Sequence, residues 1–155
     1  MKRIISLLAC LILLFSCAAA ERMVSLPNSR YVIDLPDWMA YSPPEPEDYG
    51  VEAYISDTLE MDFVSYLKAD AVKQGMAETL RETAENLVSR GAEAELREVN
   101  GIEMVFFRMQ DDADGAPGAG YVFEDGDWVI EIDFWYATQE AADRITEIIS
   151  SIREK

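Results

Sequence analysis

The chain has 155 residues, enough for one domain, with 30 acidic and 13 basic side chains and no histidine. A formal net charge of −17 argues against nucleic acid as a partner, because binding it needs a basic stripe that displaces counterions from phosphate. It argues equally against an anionic membrane surface. The missing histidine excludes histidine-activated serine and cysteine nucleophiles and histidine-ligated metal centres, and the sequence has neither a phosphate-binding glycine loop nor a dinucleotide fingerprint.

The N-terminus reads as a secretory signal peptide over residues 1–20, which leaves a single domain over 21–155. Lys2 and Arg3 form the basic region, residues 4–15 the apolar run, and Ala18-Ala19-Ala20 the small-residue cleavage site. Cutting after Ala20 releases a soluble protein. Leu14-Phe15-Ser16-Cys17 also resembles a lipobox, in which Cys17 is lipidated and anchors the chain to the cell envelope. The almost absent tether between Cys17 and the first strand favours soluble release. Cys10 and Cys17 both lie in this leader, so a chain cut after Ala20 has no disulfide and relies on its core. Losing Lys2 and Arg3 moves the charge from −17 to −19.

Residues 22–26 and 30–35 form an opening hairpin across Pro27-Asn28-Ser29, with Tyr31, Ile33 and Leu35 turned to the core. Pro36 cannot donate to a ladder and ends the strand. Trp38 is expected to close one end of the core, with ligand stacking as the alternative. The prolines at 43, 44 and 46 make residues 41–50 a loop. Strands follow at 51–55 and 59–67, although 59–73 also matches a helix stripe. Residues 76–90 predict a helix with Leu80, Ala84, Leu87 and Val88 on its apolar side and Gly91 as its cap. Asn100-Gly101 then joins strands 93–99 and 102–109. The second of these is apolar on both faces, the mark of a strand between two layers.

The stretch 120–138 organises the chain. Asp125-Gly126 predicts a hairpin turn, placing Phe123 opposite Trp128 and Tyr121 opposite Ile130. Trp128, Ile130, Ile132, Phe134 and Tyr136 alternate with more polar positions. Thr138 caps a final helix whose stripe includes Ala141, Ile145, Ile148, Ile149 and Ile152. That stripe is expected to pack on the face of Ile132. Asp133 points the other way, and it becomes an acid of interest if that side is also covered.

Chemistry is left to carboxylates, hydroxyls and a few lysines. Asp112 and Asp114, followed by Gly115, match the middle of a calcium loop, with Asp111 beside them as a further weak metal candidate. The match fails at both ends: Gln110 stands where the first aspartate belongs and Tyr121 where the bidentate glutamate belongs. A solvated acidic turn is the expected reading there, and a plain hairpin turn at Glu124-Asp125-Gly126-Asp127. Paired carboxylates could act as a glycosidase does, but with 30 acids some pairs arise by chance. No catalytic or cofactor-binding residue is assigned.

A strand closing in Leu35-Pro36-Asp37-Trp38, a helix ending at Arg90-Gly91, the Asn100-Gly101 and Asp125-Gly126 hairpins and a last helix ending Ile148-Ile149-Ser150-Ser151-Ile152 follow in order. This order of elements over about residues 22–153 resembles the small sandwich of the extrinsic photosystem protein PsbP and of secreted bacterial proteins. The resemblance implies an α+β fold, an antiparallel sheet with helices on its faces in an α/β/α sandwich, and a group whose members mostly bind or stabilise other proteins. The expected function is that of a non-catalytic, monomeric extracytoplasmic domain that binds a protein or a cell-envelope component. The alternatives are an acidic calcium-binding module and a carboxylate-based hydrolase of the envelope.

Overall fold

The computed structural model describes residues 21–44, 51–110 and 115–155. The leader with Cys17, and the acidic candidates Asp111, Asp112 and Asp114, lie outside the described residues. In chain order the elements are β1 (Glu21–Ser25), β2 (Tyr31–Pro36), β3 (Ala40–Ser42), β4 (Val51–Ile55), β5 (Leu59–Leu67), α1 (Lys68–Lys73) and α2 (Leu80–Ser89). Then come β6 (Ala94–Val99), β7 (Ile102–Gln110), β8 (Pro117–Asp125), β9 (Trp128–Tyr136), α3 (Gln139–Ser150) and β10 (Arg153–Glu154). The fold is α+β. A seven-stranded antiparallel sheet runs β3-β4-β5-β9-β8-β7-β6, and a separate three-stranded sheet runs β1-β2-β10.

The β6–β7 turn forms as expected: Val99 pairs with Ile102, and Asn100 and Gly101 take φ of 51° and 80°, the two positive values of a type I′ turn. The β8–β9 turn differs. Asp125 pairs with Trp128, Phe123 with Ile130 and Tyr121 with Ile132, a shift of two residues from the expected pairing. The central residues are Gly126 and Asp127, and only Gly126 has positive φ, at 61°. Glycine at the first central position is the type II′ arrangement. Because the strand repeat is two, this shift leaves every side chain on the expected face.

On the first face of the large sheet, Phe63, Met104, Phe123, Ile130, Ile132 and Phe134 are fully buried. They pack against Ile33 and Leu35 of β2 and against Ala141, Ile145, Ile148 and Ile149 of α3, with Ile152 just beyond it. The opening hairpin therefore covers the main sheet rather than extending it. Its small sheet is closed from the far end of the chain, where Arg153 and Glu154 pair with Val32 and Tyr31. The Arg153 guanidinium also grips Asp34 with two hydrogen bonds of 2.6 and 2.8 Å, and this holds the Asp34 carboxyl below its ordinary pKa. The Asn100 side-chain amide donates to the carbonyls of Ser150 and Ile152 at 2.9 and 2.8 Å, so a hairpin turn ties down the C-terminal end of α3.

The second face carries a smaller cluster, in which Val105, Phe107, Val122 and Val129 meet Ala84 of α2. Strand β7 thus lies between two layers, as its two apolar faces require. Residues 59–67 are strand, as expected, and the alternative helix is confined to Lys68–Lys73. Other local expectations change. The following helix starts at Leu80 instead of residue 76, because Thr79 caps it by accepting from the Glu82 backbone N–H at 3.2 Å. Val88 leaves the apolar stripe and is 54% exposed, since it stands about 80° round the helix from Leu80. At the end of β2, Trp38 is 43% exposed while Met39 beside it is fully buried. Met39, not Trp38, closes that end of the core.

Candidate functional site

Register decides what the second face presents. Strands β5 and β9 pair Asp62 with Asp133, Val64 with Glu131 and Tyr66 with Val129. On the other side of β9, Gly120 pairs with Asp133 and Val122 with Glu131. One row therefore reads Phe107, Gly120, Asp133, Asp62 across four strands. Gly120 has no side chain because the Phe107 ring occupies the space: a Cβ there would overlap the ring atoms. At Gly118 the same vacancy takes Met109 and Trp135, whose atoms lie 2.8 and 2.9 Å from where a Cβ would sit.

Two acids on this face are short of solvent. Burial raises the Glu131 carboxyl above its ordinary pKa. Burial, with the nearby charges of Glu131 and Asp62, pushes Asp133 up to about 8. Among the described residues, Asp133 Oδ1 is buried without a hydrogen-bond partner. The Tyr66 hydroxyl is pushed up to about 12, mainly by burial and then by Glu131 and Asp133. Direct pairing of Asp62 with Asp133 juxtaposes like charges when both ionise, which adds to the larger effects of burial and of Glu131 on Asp133.

Helices α1 and α2 convert part of this face into a cleft. Helix α1 ends in a Schellman motif, with Gly75 at φ 85°, Met76 N–H bonded to the Ala71 carbonyl and Gly75 N–H to that of Val72, both at 3.0 Å. The turn carries Met76 and Ala77 over the sheet and into the capped start of α2. Helix α2 ends in a second such motif at Gly91 (φ 91°), with Ala92 N–H bonded to the Leu87 carbonyl at 3.1 Å and Gly91 N–H to that of Val88 at 2.9 Å. Between the helices and the sheet lies a cavity of about 320 Å³. Tyr66, Phe107, Val122, Val129 and Glu131 form its floor, Ala71, Met76, Leu80 and Leu87 its walls, and Gln74, Thr83, Asn86 and Arg90 its rim. Glu124 at one end is already paired with Lys68 at 2.8 Å. Among the described residues, Glu131 makes no hydrogen bond or ion pair.

The sequence-predicted candidates fare differently. The acidic turn 124–127 is structural: Asp125 accepts from the Arg30 backbone N–H at 2.7 Å, pinning it to the opening hairpin. Among the described residues, no three acidic groups are placed to hold a metal ion. The condition that makes Asp133 an acid of interest is met, because its Oδ1 is buried on the second face. Glu131 and Tyr66 were missed, because alternating acids in a strand read as a solvent face until a helix is known to cover them. Among the described residues, no helix is long and apolar enough to cross a membrane.

No protein-family model matches the chain, and no curated protein matches it in sequence. Solved structures do. The solution structure of cyanobacterial PsbP (CyanoP) from Synechocystis sp. PCC 6803 matches with a TM-score of 0.56 at 14% identity, over 90% of this chain and 95% of that one. A crystal structure from Bacteroides thetaiotaomicron VPI-5482 matches with a TM-score of 0.55 at 11% identity, over 81% of this chain. This chain spans only 45% of that protein's length. Element order, the seven-stranded sheet and the near-complete mutual coverage with CyanoP make the fold PsbP-like.

Proposed function

We propose that this chain is a non-catalytic, extracytoplasmic binding domain that receives a protein partner or a cell-envelope component at the cleft between α1–α2 and the sheet. The cleft carries the reading: it is a concave site that sets apolar walls beside polar groups on its floor and rim, an arrangement suited to holding and orienting a ligand. The signal-peptide pattern of residues 1–20 supports export, and the soluble form starts at Glu21.

The test uses wild-type protein and an Asn86→Trp variant, which places an indole across the cleft mouth from an exposed helix position. Both serve as bait for an envelope fraction, with bound material identified by mass spectrometry. The expected result is a partner retained by wild type and lost by Asn86→Trp. An identical set on both baits removes the cleft from the function. N-terminal sequencing of exported protein is expected to begin at Glu21; a lipid-blocked Cys17 would replace soluble release with anchoring.

A further inference from the structure

Resting on that reading of the cleft, we propose that its ligand is a small primary amine on an apolar stem, with the Glu131 carboxylate as counter-ion to the ammonium group. The volume of about 320 Å³ equals the liquid share of about ten water molecules, so the occupant is a molecule of roughly ten heavy atoms. Glu131 sits on the cleft floor with no hydrogen bond or ion pair among the described residues. Its carboxyl oxygens are open to the solvent in the cleft, so a ligand's positive charge can take the place of that water.

The remaining lining selects the ligand's sign and shape. Of the other charged groups, Glu124 is occupied by Lys68 at 2.8 Å, and Arg90 lies at the exposed rim. An anion would meet Glu131 unscreened, inside a chain whose overall field repels it. A cation is drawn in by the same field. Tyr66 and Phe107 line the floor and supply the aromatic rings to which an ammonium group is drawn, while Val122, Val129 and Leu87 receive the stem. One free carboxylate is too few for a hard divalent cation, which takes six or more oxygen ligands. An organic monocation needs only one.

The mature chain would be titrated by calorimetry at pH 8 with n-hexylamine, phenethylamine, hexanol and hexanoate, with amide shifts followed by NMR. Both amines are expected to bind and to move the amides of Tyr66, Leu87 and Val129. Hexanol should bind at least tenfold more weakly, and hexanoate not at all. Glu131→Gln keeps the side-chain shape and should weaken amine binding at least tenfold without changing hexanol; Asn86→Trp should abolish amine binding while Glu131 remains. Equal binding of hexanol and hexylamine, wild-type affinity in Glu131→Gln, or no response to millimolar amine overturns the proposal. Partner capture that needs an open cleft, together with silent amines, refutes the ammonium ligand and leaves the cleft reading standing. Amine binding lost in Glu131→Gln, with partner capture unchanged in Asn86→Trp, does the reverse.

Discussion

The two faces of the large sheet are built from the same strands and differ in almost everything else. The first face is sealed by two covers, the small sheet and α3, and the side chains of Phe63, Phe123, Ile130, Ile132 and Phe134 are fully buried there. The second face is thinned by Gly118 and Gly120, bears Asp62, Glu131 and Asp133, and has a cleft under its helices. Residues 130 and 132 belong to one face and 131 and 133 to the other, so adjacent positions in β9 have opposite purposes. One side supplies the stability; the other spends part of it to keep acids away from water.

The largest expected effect tests the sealed side. Ile132→Ala should lower the unfolding free energy by about 2–5 kcal/mol, through lost transfer energy and the cavity left between sheet and helix, as measured by denaturant melts. A loss below that range would mean that the first face is not the core. Gly120→Ala, on the second face, should cost about 1–3 kcal/mol by driving a methyl group into the Phe107 ring. If Phe107→Leu in the same chain fails to recover part of that loss, the ring does not depend on the bare strand.

Asp133→Asn should shift stability in the opposite direction. With its folded pKa raised from 3.8 to about 8, the native state holds a proton that the unfolded chain has released across that window. Stability from this group is therefore highest below about pH 4, falls as pH rises, and reaches its full penalty above about pH 8. The asparagine variant should match wild type near pH 4 and exceed it by about 2 kcal/mol at pH 8.5, a figure set below the full shift to allow for solvent screening. Thermal melts across pH decide it. A constant difference between the two proteins would show that folding leaves the Asp133 pKa unchanged. The smallest effect concerns the whole surface: a formal net charge of −17 should make the protein slightly more stable between low and moderate salt, whatever the cation. A melt insensitive to sodium chloride would contradict this, and a separate rise with micromolar calcium would turn attention to residues 111–114.

Much of the architecture was legible because its signals are local. Asn100-Gly101, Thr138 and Gly91 each specify a backbone conformation by their own chemistry, and each is found where expected. The β8–β9 register was not fully legible, since a shift of two preserves the hydrophobic pattern and only the placement of Gly126 distinguishes the pairings. Trp38 and Met39 are neighbours of similar apolar character, and which one turns inward depends on where the sheet beneath them lies. The two-residue strand β10 has no periodicity to read. The candidate site was least legible of all: Glu131 and Asp133 alternate as a wetted face would, and their meaning comes from the bare positions Gly118 and Gly120 beside them and from the cleft that lies over Glu131.

The small sheet has a consequence for the order of events during synthesis. Strand β2 is largely buried, yet one of its two partners, β10, arrives 119 residues later, as the span of the Arg153–Asp34 contact shows. Loop closure over that length costs about 4 kcal/mol beyond its constant term, and a two-stranded hairpin such as β1–β2 is marginal without further support. Asn100, which holds the carbonyls of Ser150 and Ile152, likewise waits for its acceptors. The nascent chain thus lacks its closing strand until residues 153 and 154 have been made. A domain that latches so late remains pliable while it is being elongated.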